Sequence, residues 1–206
     1  SSLAAKKVEG GYKMGLPLCL GTYELAPLWH GFFTSLGVSV EFSPFSNKAI
    51  YELGQFTIPS DTACYPAKLM HGHVLKLCED GVDGIFYPCL PYNLDEKTDN
   101  HYNCPIVAYY PELLKSNVDA LENTSFFYPY LNVNDRAQLK KELYACFGKV
   151  LSVSKKQVNA AVDYGFKALD DYKNFVETEG EKAVKFAREN NLRILILASR
   201  PYHIDP

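Results

Sequence analysis

Short apolar segments alternate with helical segments along most of this chain, and this alternation constrains the fold more than any other feature. Apolar segments of strand length occur at 13–20, 38–42, 82–87, 106–109 and 126–131. Apolar residues recur at helical spacing in 23–36, 48–53, 61–80 and 135–147, and Pro111 suits the first turn of another helix. Strands that alternate with helices usually pair in parallel. The sequence therefore predicts an α/β domain, Rossmann-like or flavodoxin-like, with a parallel sheet of four to five strands and helices on both faces.

The last quarter of the chain has a different pattern. Apolar residues recur every three or four positions from 154 to 190, which predicts one long C-terminal helix that Gly165 and Gly180 bend or break. Residues 192–198 are mostly apolar and predict a buried strand. The predicted organisation is a flexible N-terminus at 1–12, a cysteine-bearing α/β domain at 13–150, a long helical segment at 151–191 and, at 192–206, the first strand of a truncated second lobe.

Charge and composition exclude several classes of partner. The 206 residues carry 21 basic and 24 acidic side chains, a formal net charge of −3, and the basic residues are too scattered to bind nucleic acid. The first residues lack the apolar core of a secretory signal, and no apolar segment is long enough to span a bilayer. The sequence thus predicts a cytoplasmic protein that binds neither nucleic acid nor membrane. In a reducing compartment its six cysteines indicate metal-binding, catalytic or buried thiols before disulfides.

Three cysteines lie where one predicted element leads into the next. Cys64, Cys89 and Cys104 are each close to a proline, and Cys64 is expected in the first turn of a helix that Ser60 or Asp61 caps. In a parallel α/β sheet such positions share the carboxyl edge, where ligands bind. Thiolates brought together there favour an iron–sulfur cluster or another soft metal. Their spacing matches no compact ferredoxin or zinc-finger pattern, so ordinary buried thiols remain the alternative.

The histidines and the other cysteines give weaker signals. His71 and His73 are two positions apart on a predicted helix and face different sides, so capping, packing or subunit-contact roles are expected. His101 lies in a long polar loop three residues before Cys104 and is a candidate additional ligand or proton donor, with a solvated loop histidine as the alternative. The remaining cysteines are expected to be structural: Cys19 in the first strand, Cys78 on the apolar face of a helix and Cys146 late in another helix.

Three motifs of this sequence resemble those of one protein family. They are the run 58–73, the segment 85–89 and the segment 100–107. In these motifs the chain closely resembles the uncharacterised domain of CoA enzyme activases, large proteins that look like fusions of 2-hydroxyacyl-CoA (2-hydroxyglutaryl-CoA) dehydratase activators and dehydratase components. The resemblance extends over nearly the whole chain, from Gly15 to Pro206. Leu18 departs from it, because the family usually has a basic residue there.

The resemblance implies a cofactor. In the related dehydratase subunits three cysteines hold a four-iron cluster, to which an ATP-driven activator delivers an electron. Carried onto this sequence, it implies that Cys64, Cys89 and Cys104 ligate an iron–sulfur cluster of the 4Fe-4S type, with His101 as a candidate additional ligand. The expected function is low-potential electron transfer or reduction in anaerobic metabolism.

The resemblance also implies partners and leaves one alternative open. The expected partner is an ATP-dependent activase domain or a dehydratase-like subunit. Independently of the resemblance, the apolar strand predicted at 192–198 is expected to pair with the same strand of another copy, which makes a homodimer a further candidate assembly. The alternative is a non-catalytic interaction or zinc-binding module that docks an ATPase domain and carries zinc or no cofactor. The chain by itself is expected to be inactive as an enzyme.

Overall fold

The computed structural model of the protein describes residues 11–95, 97, 100–199 and 202–203. At its centre is a sheet of four strands: β1 (Lys13–Leu16), β2 (Ser39–Phe42), β3 (Gly84–Phe86) and β4 (Ser125–Phe127). The strands lie in the order β2-β1-β3-β4, and all three pairings are parallel. The predicted α/β fold with a parallel sheet is thus confirmed, and the strand order is that of flavodoxin-like domains.

Seven α-helices occur in the part of the chain that the structure describes. They are α1 (Leu20–Glu24), α2 (Ala26–Ser35), α3 (Lys48–Gly54), α4 (Tyr65–Glu79), α5 (Pro105–Asn117), α6 (Arg136–Phe147) and α7 (Lys155–Glu189). The strand predicted at 106–109 is wrong, because these residues lie in α5. Pro105 begins α5 at a position that needs no N–H bond, and Val107, Tyr110 and Leu114 then follow at helical spacing on its buried side. Pro111 lies inside this helix instead of at its start.

Helices cover both faces of the sheet and form two layers, each with its own hydrophobic core. One layer, which we call the aromatic layer, consists of α2, α6 and α7 and packs on Met14, Leu16 and Phe86. The other, which we call the site layer, consists of α3, α4 and α5 and packs on Ile85 and Tyr87. Phe86 and its two neighbours belong to different cores because successive side chains of a strand point to opposite faces.

The predicted long C-terminal helix is present as α7 and is continuous through Gly165 and Gly180. Ser154 caps its first turn in a capping box with Gln157. Gly165 lets α7 approach α2 closely, since a Cβ at this position would lie 2.6 Å from the carbonyl oxygen of Leu28. The buried residues of α7 end at Leu169, and nearly all of the helix beyond is exposed. No helix within the described ranges, α7 included, is both long and apolar enough to cross a membrane.

The apolar run 192–198 does not form the predicted buried strand. It is neither helix nor strand, and its side chains are exposed, Leu195 to 94%. None of the four strands of the sheet pairs with this run. Its assignment to a second lobe stays a prediction. Residues 1–10, 200–201 and 204–206 of the predicted terminal segments lie outside the described residues.

Candidate functional site at the carboxyl edge

Helix N-termini and loops converge at the carboxyl edge of the sheet. β1 leads through α1 and α2 to β2 on one side, whereas β3 leads through α5 to β4 on the other. The direction in which successive strands are added to the sheet therefore reverses between β1 and β3, the place where open parallel sheets form a crevice for ligands. The helices α1, α4 and α5 all begin at this edge, because the chain returns along each of them toward the start of the next strand.

Cys64 and Cys104 occupy equivalent positions at two of these helix N-termini. Each is the N-cap residue, with φ −64° and ψ 156° at Cys64 and φ −63° and ψ 156° at Cys104, and neither side chain caps its own helix. Cys64 thus precedes α4 instead of lying in its first turn, and the expected cap by Ser60 or Asp61 is wrong. Both thiols are exposed. Both positions thus lie beside the free N–H groups at the start of a helix.

Cys89 lies just beyond β3 and is fully buried. Its N–H donates to the carbonyl of Pro129 at 2.9 Å, and its carbonyl accepts from the N–H of Leu131 at 3.0 Å, which fixes it beside Tyr130. Burial raises the pKa of the Cys89 thiol to about 12, the negative charge of Glu112 adds to this, and a hydrogen bond with Tyr130 partly opposes it. Without a ligand, Cys89 is therefore a neutral thiol at pH 7.

Backbone hydrogen bonds hold the loop after Cys89 against the helix that Cys104 begins. The N–H of Leu90 donates to the carbonyl of Ala108 at 3.1 Å. The side-chain amide of Asn103 donates to the carbonyl of Leu90 at 2.9 Å. Two of the predicted ligands thus lie on segments that are joined to each other beside the crevice.

Cys19 is a fourth thiol at the same edge. The prediction that it lies within the first strand is wrong, because β1 ends at Leu16 and Cys19 is the N-cap residue of α1. It is fully buried, as expected of a structural thiol, and its Sγ–H donates to the carbonyl of Pro66 at 3.2 Å. Burial raises its pKa to about 12, and the charge of Cys64 adds to the shift. Pro66 lies in the first turn of α4, so Cys19 and Cys64 also form a neighbouring pair.

Two buried tyrosines, Tyr87 and Tyr110, lie within electrostatic range of the cysteines at this edge. The pKa of Tyr110 is raised to about 12, first by burial and then by the charges of Cys64 and Cys19. The pKa of Tyr87 is raised well above its ordinary value, first by burial and then by the charges of Cys19, Cys89, Tyr110 and Cys104. Both phenols therefore stay protonated within electrostatic range of the thiols. Each of the four cysteines at this edge lies near at least one of them.

Two buried histidines anchor the site layer. His71 lies between Thr57 and Tyr110, with 2.7 Å from its Nδ1 to the Thr57 hydroxyl and 3.0 Å from its Nε2 to the Tyr110 hydroxyl. His73 lies between Ser43 and Ser46, at 2.8 and 2.9 Å. Burial lowers the pKa of each histidine to about 4.

The two rings therefore remain neutral at pH 7 and have the packing role that the sequence predicted. His73 also reaches the carboxyl edge indirectly, because the Ser43 hydroxyl accepts a 2.7 Å hydrogen bond from the N–H of Leu18.

His101 lies in a loop that folds back on itself. Tyr92 and Tyr102 form an antiparallel bridge, and the N–H of Asn93 donates to the carbonyl of His101 at 2.8 Å. The Nδ1 of His101 lies 3.9 Å from an oxygen of Asp95 and has no hydrogen-bond partner among the described residues. Its ring therefore faces Asp95, and its role as an additional ligand stays a prediction.

The structure thus brings the three predicted ligand cysteines to one edge but does not close them into a site. Within residues 11–95, 97, 100–199 and 202–203, no group of three or more His, Cys, Asp or Glu side chains is arranged to hold a metal ion. Four residues that line this edge were missed as site residues by the sequence analysis: Cys19, Tyr87, Tyr110 and His203. Tyr87 and Cys19 had a signal: Tyr87 directly follows β3 beside Pro88, and Cys19 lies shortly after β1 and two residues after Pro17.

His203 reaches the edge from the far end of the chain. Its ring packs edge-on against Tyr65, next to Cys64, with 5.6 Å between ring centroids. The carbonyl of Tyr202 accepts a 2.7 Å hydrogen bond from the N–H of Leu20. The sequence offered no signal for this contact, because it depends on how the chain returns after α7.

An apolar groove of about 770 Å³ lies on the β2 side of the same edge. Its lining includes Leu18, Phe42, Phe45 and Tyr172, with His30 as a polar member. None of the cysteines lines it. The carboxyl edge is thus divided into an apolar part beside β2 and a part rich in thiols and phenols beside β1, β3 and β4.

The fold and the edge together define a doubly wound α/β domain with thiols around its ligand crevice. The model of the CoA enzyme activase uncharacterised domain matches residues 13–206, and the chain belongs to this family. The suspected resemblance is thereby confirmed over nearly the whole chain. No curated protein sequence matches it.

Proposed function

We propose that this domain binds an iron–sulfur cluster, of the 4Fe-4S type, through Cys64, Cys89 and Cys104, and that it takes part in low-potential electron transfer or reduction. The observation that carries the proposal is the common position of the three thiols at the carboxyl edge, although 25 (89 − 64) and 15 (104 − 89) residues separate them in sequence. Thiolates are the usual ligands of such clusters. Membership of a family of CoA enzyme activases supports a role beside an enzyme that acts on CoA thioesters.

The donor set fits a thiol-ligated group chemically. Cys64 and Cys104 stand at positive helix ends, and Cys89 loses its proton when it ligates a metal, as thiol ligands do. Because the thiols are not gathered in the ligand-free protein, binding requires the exposed side chains of Cys64 and Cys104 to turn toward Cys89. A bound cluster would supply one-electron transfer, and the protein would supply its ligands and a partly buried wall.

Exposed tyrosines beside the thiols support a protein partner at this edge. Tyr102 and Tyr130 are half or more exposed, and Tyr109 lies between them on α5. Tyrosine combines a large apolar face with a polar tip and is enriched in protein interfaces. The partner we propose is an ATP-dependent activase domain or a dehydratase-like subunit, with a second copy of this chain as a further candidate.

The same exposed tyrosines favour a second candidate function. In it the domain is a non-catalytic interaction or zinc-binding module that docks an ATPase domain, and the cysteines carry zinc or nothing. The two candidates differ in the metal that the thiols take up.

Anaerobic reconstitution with iron and sulfide separates them. We expect the unsubstituted protein to take up both and to gain the broad visible absorption of thiolate-ligated iron, and we expect Cys64→Ser, Cys89→Ser and Cys104→Ser each to lose most of it. Cys146→Ser is the matched control, because Cys146 lies near the end of α6 at the opposite edge of the sheet. Equal iron content in all four variants would contradict the assignment. Stoichiometric zinc without iron uptake would favour the interaction module.

A further inference from the structure

The residue pattern that packs α7 on α2 continues beyond the end of that contact. Along α7, apolar or small residues alternate at intervals of four and three positions, which is the heptad pattern of helices that pair lengthwise. The buried members of this repeat are Val158, Val162, Gly165 and Leu169. The same alternation then continues through Tyr172, Val176, Glu179, Ala183 and Phe186, which we call the exposed seam. Apart from Glu179, this seam is apolar, so it prolongs the face by which α7 binds α2.

The exposed seam is not buried by any residue that the structure describes. Tyr172, Val176 and Phe186 are 51%, 49% and 60% exposed, whereas an apolar stripe at helical spacing normally packs against another element. α2 does not extend to it, because α2 begins at Ala26, which lines the same groove as Tyr172 at the point where the buried part of α7 ends. The apolar run 192–198 is exposed as well and does not cover it.

The charges around the exposed seam change sign along the helix. Residues 170–181 carry five acidic side chains and one basic side chain, a net charge of −4. Residues 182–189 carry three basic side chains and one acidic side chain, a net charge of +2. Two copies of this segment side by side in the same direction would place like charges together, whereas antiparallel copies place each acidic part beside a basic part. The segment is therefore complementary to itself in the antiparallel orientation.

Ion pairs within the helix leave this asymmetry in place. Lys182 lies 2.7 Å from Glu179, and Lys185 lies 3.8 Å from Glu189. These side chains are about half or more exposed, so each pair is weak and its charges still act on a neighbouring molecule.

We propose that the exposed seam of α7 binds the same seam of a second copy of this chain in antiparallel orientation, giving a homodimer with twofold symmetry. The inference requires no bound cluster and is independent of the proposed function. The seam extends over residues 172–186, about 21 Å of helix, so the contact is smaller than a standard stable interface. We therefore expect a weak dimer with a dissociation constant in the micromolar range, which is a monomer at the low concentrations of an unfolding experiment.

Sedimentation equilibrium over a concentration series measures this dimer. Val176→Glu places a carboxylate in the middle of the contact, where it must lose water, and we expect the dissociation constant to rise by about tenfold or more. Thr178→Glu is the matched control, because it adds the same charge to the opposite side of the same helix. It should change the dissociation constant by less than about twofold. Both residues are exposed, so circular dichroism should show unchanged helix content in both variants.

Arg188→Glu tests the orientation of the two helices. It changes the net charge of residues 182–189 from +2 to 0. In an antiparallel dimer this removes attraction to the acidic part of the other copy, and the dissociation constant should rise severalfold. In a parallel dimer the same change would relieve repulsion between two basic parts, and the constant would fall. Added salt should weaken the antiparallel dimer of the unsubstituted chain, because its exposed charges are screened.

Leu195→Glu separates this contact from one made by the apolar run 192–198. Leu195 is 94% exposed, and its substitution should leave the dimer unchanged. A chain that stays monomeric throughout the micromolar range overturns the inference. A dimer that Leu195→Glu abolishes and Val176→Glu preserves also overturns it, because the apolar run would then be the interface. A dissociation constant that falls in Arg188→Glu overturns the antiparallel arrangement. None of these results bears on iron uptake, which tests the proposed function alone.

Discussion

The aromatic layer and the site layer pack against the same four strands but are built differently. In the aromatic layer, Trp29, Phe32, Phe33 and Phe147 meet Phe86 and one another edge-on or tilted, with 5.0 to 6.2 Å between ring centroids. The site layer instead buries two histidines in hydrogen-bonded networks. The aromatic layer is held by the area and shape of its rings, whereas the site layer adds to its apolar core polar groups that need particular partners.

The difference shows which layer contains groups whose burial costs free energy. Buried aromatic rings gain free energy from area alone. Buried imidazoles lose their hydration and are retained only if their hydrogen bonds are made. The site layer, whose buried histidines require hydrogen-bond partners, also contributes the helix N-termini at Cys64 and Cys104. Three stability measurements test this difference between the two layers.

The largest effect is expected in the aromatic layer. Phe147 is fully buried and touches the rings of Phe32, Phe33, Phe86 and Phe127. Replacing it by alanine leaves a cavity, and we expect Phe147→Ala to lower the free energy of unfolding by about 3–5 kcal/mol in urea denaturation.

Phe186 is the matched control for that change. It lies on the far part of α7 and is 60% exposed. Phe186→Ala should change stability by less than about 0.5 kcal/mol. A similar loss in both variants would mean that the aromatic layer is not the stabilising core.

The next effect concerns the packing of α3 on α4 in the site layer. A Cβ on Gly72 would lie 1.7 Å from the carbonyl oxygen of Ile50, and that oxygen is backbone and cannot turn away. Gly72→Ala should push the helices apart and cost about 3 kcal/mol, the upper part of the usual range for overpacking.

Gly180→Ala, in the exposed part of α7, should change the stability in the opposite direction. No atom lies within 4 Å of a Cβ at Gly180, so this change should stabilise the helix by roughly 0.5–1 kcal/mol. If Gly72→Ala proved equally harmless, the close approach of α3 and α4 would be refuted. Circular dichroism with urea denaturation gives both values.

A third effect, smaller for each histidine and pH unit than the two losses above, is a pH dependence that belongs to the site layer. The pKa values of His71 and His73 are about 4 in the folded protein against an ordinary value of 6.5. The unfolded chain therefore binds more protons between these values, and stability falls as the pH decreases from about 6.5 toward 4. We expect a loss approaching about 1.4 kcal/mol per pH unit for each histidine within that window.

Urea midpoints at pH 7, 6 and 5 measure this loss. His73→Gln should reduce the pH dependence, although it costs stability at pH 7 by disturbing Ser43 and Ser46. A protein as stable at pH 5 as at pH 7 would show that the buried histidines do not titrate in this way.

Much of this fold could be predicted from the sequence because its signals are local. Short apolar segments and helical periodicity depend only on neighbouring residues, and these patterns predicted the sheet and most helices. The exception is α5, where the apolar run after Cys104 has the length of a strand. Its burial on one side of a helix depends on α4, which lies far away in sequence.

The candidate site was predictable only in part. The cysteines Cys64, Cys89 and Cys104 stood out because a thiol beside a proline at a strand or loop end is a local pattern. The burial of Tyr87 is not local, since it depends on which atoms surround it in three dimensions. The hydrogen bond between His71 and Tyr110 likewise depends on the packing of α4 against α5.

The length of α7 carries the chain well beyond the carboxyl edge of the sheet. The helix passes α2 at Gly165 and reaches the carboxyl edge at Tyr172, which lines the apolar groove. Residues 173–189 continue the helix, and at 1.5 Å per residue they extend about 25 Å further. The chain then comes back to the edge at Tyr202. α7 thus extends beyond the carboxyl edge as a rod of fixed length, nearly the diameter of a small domain.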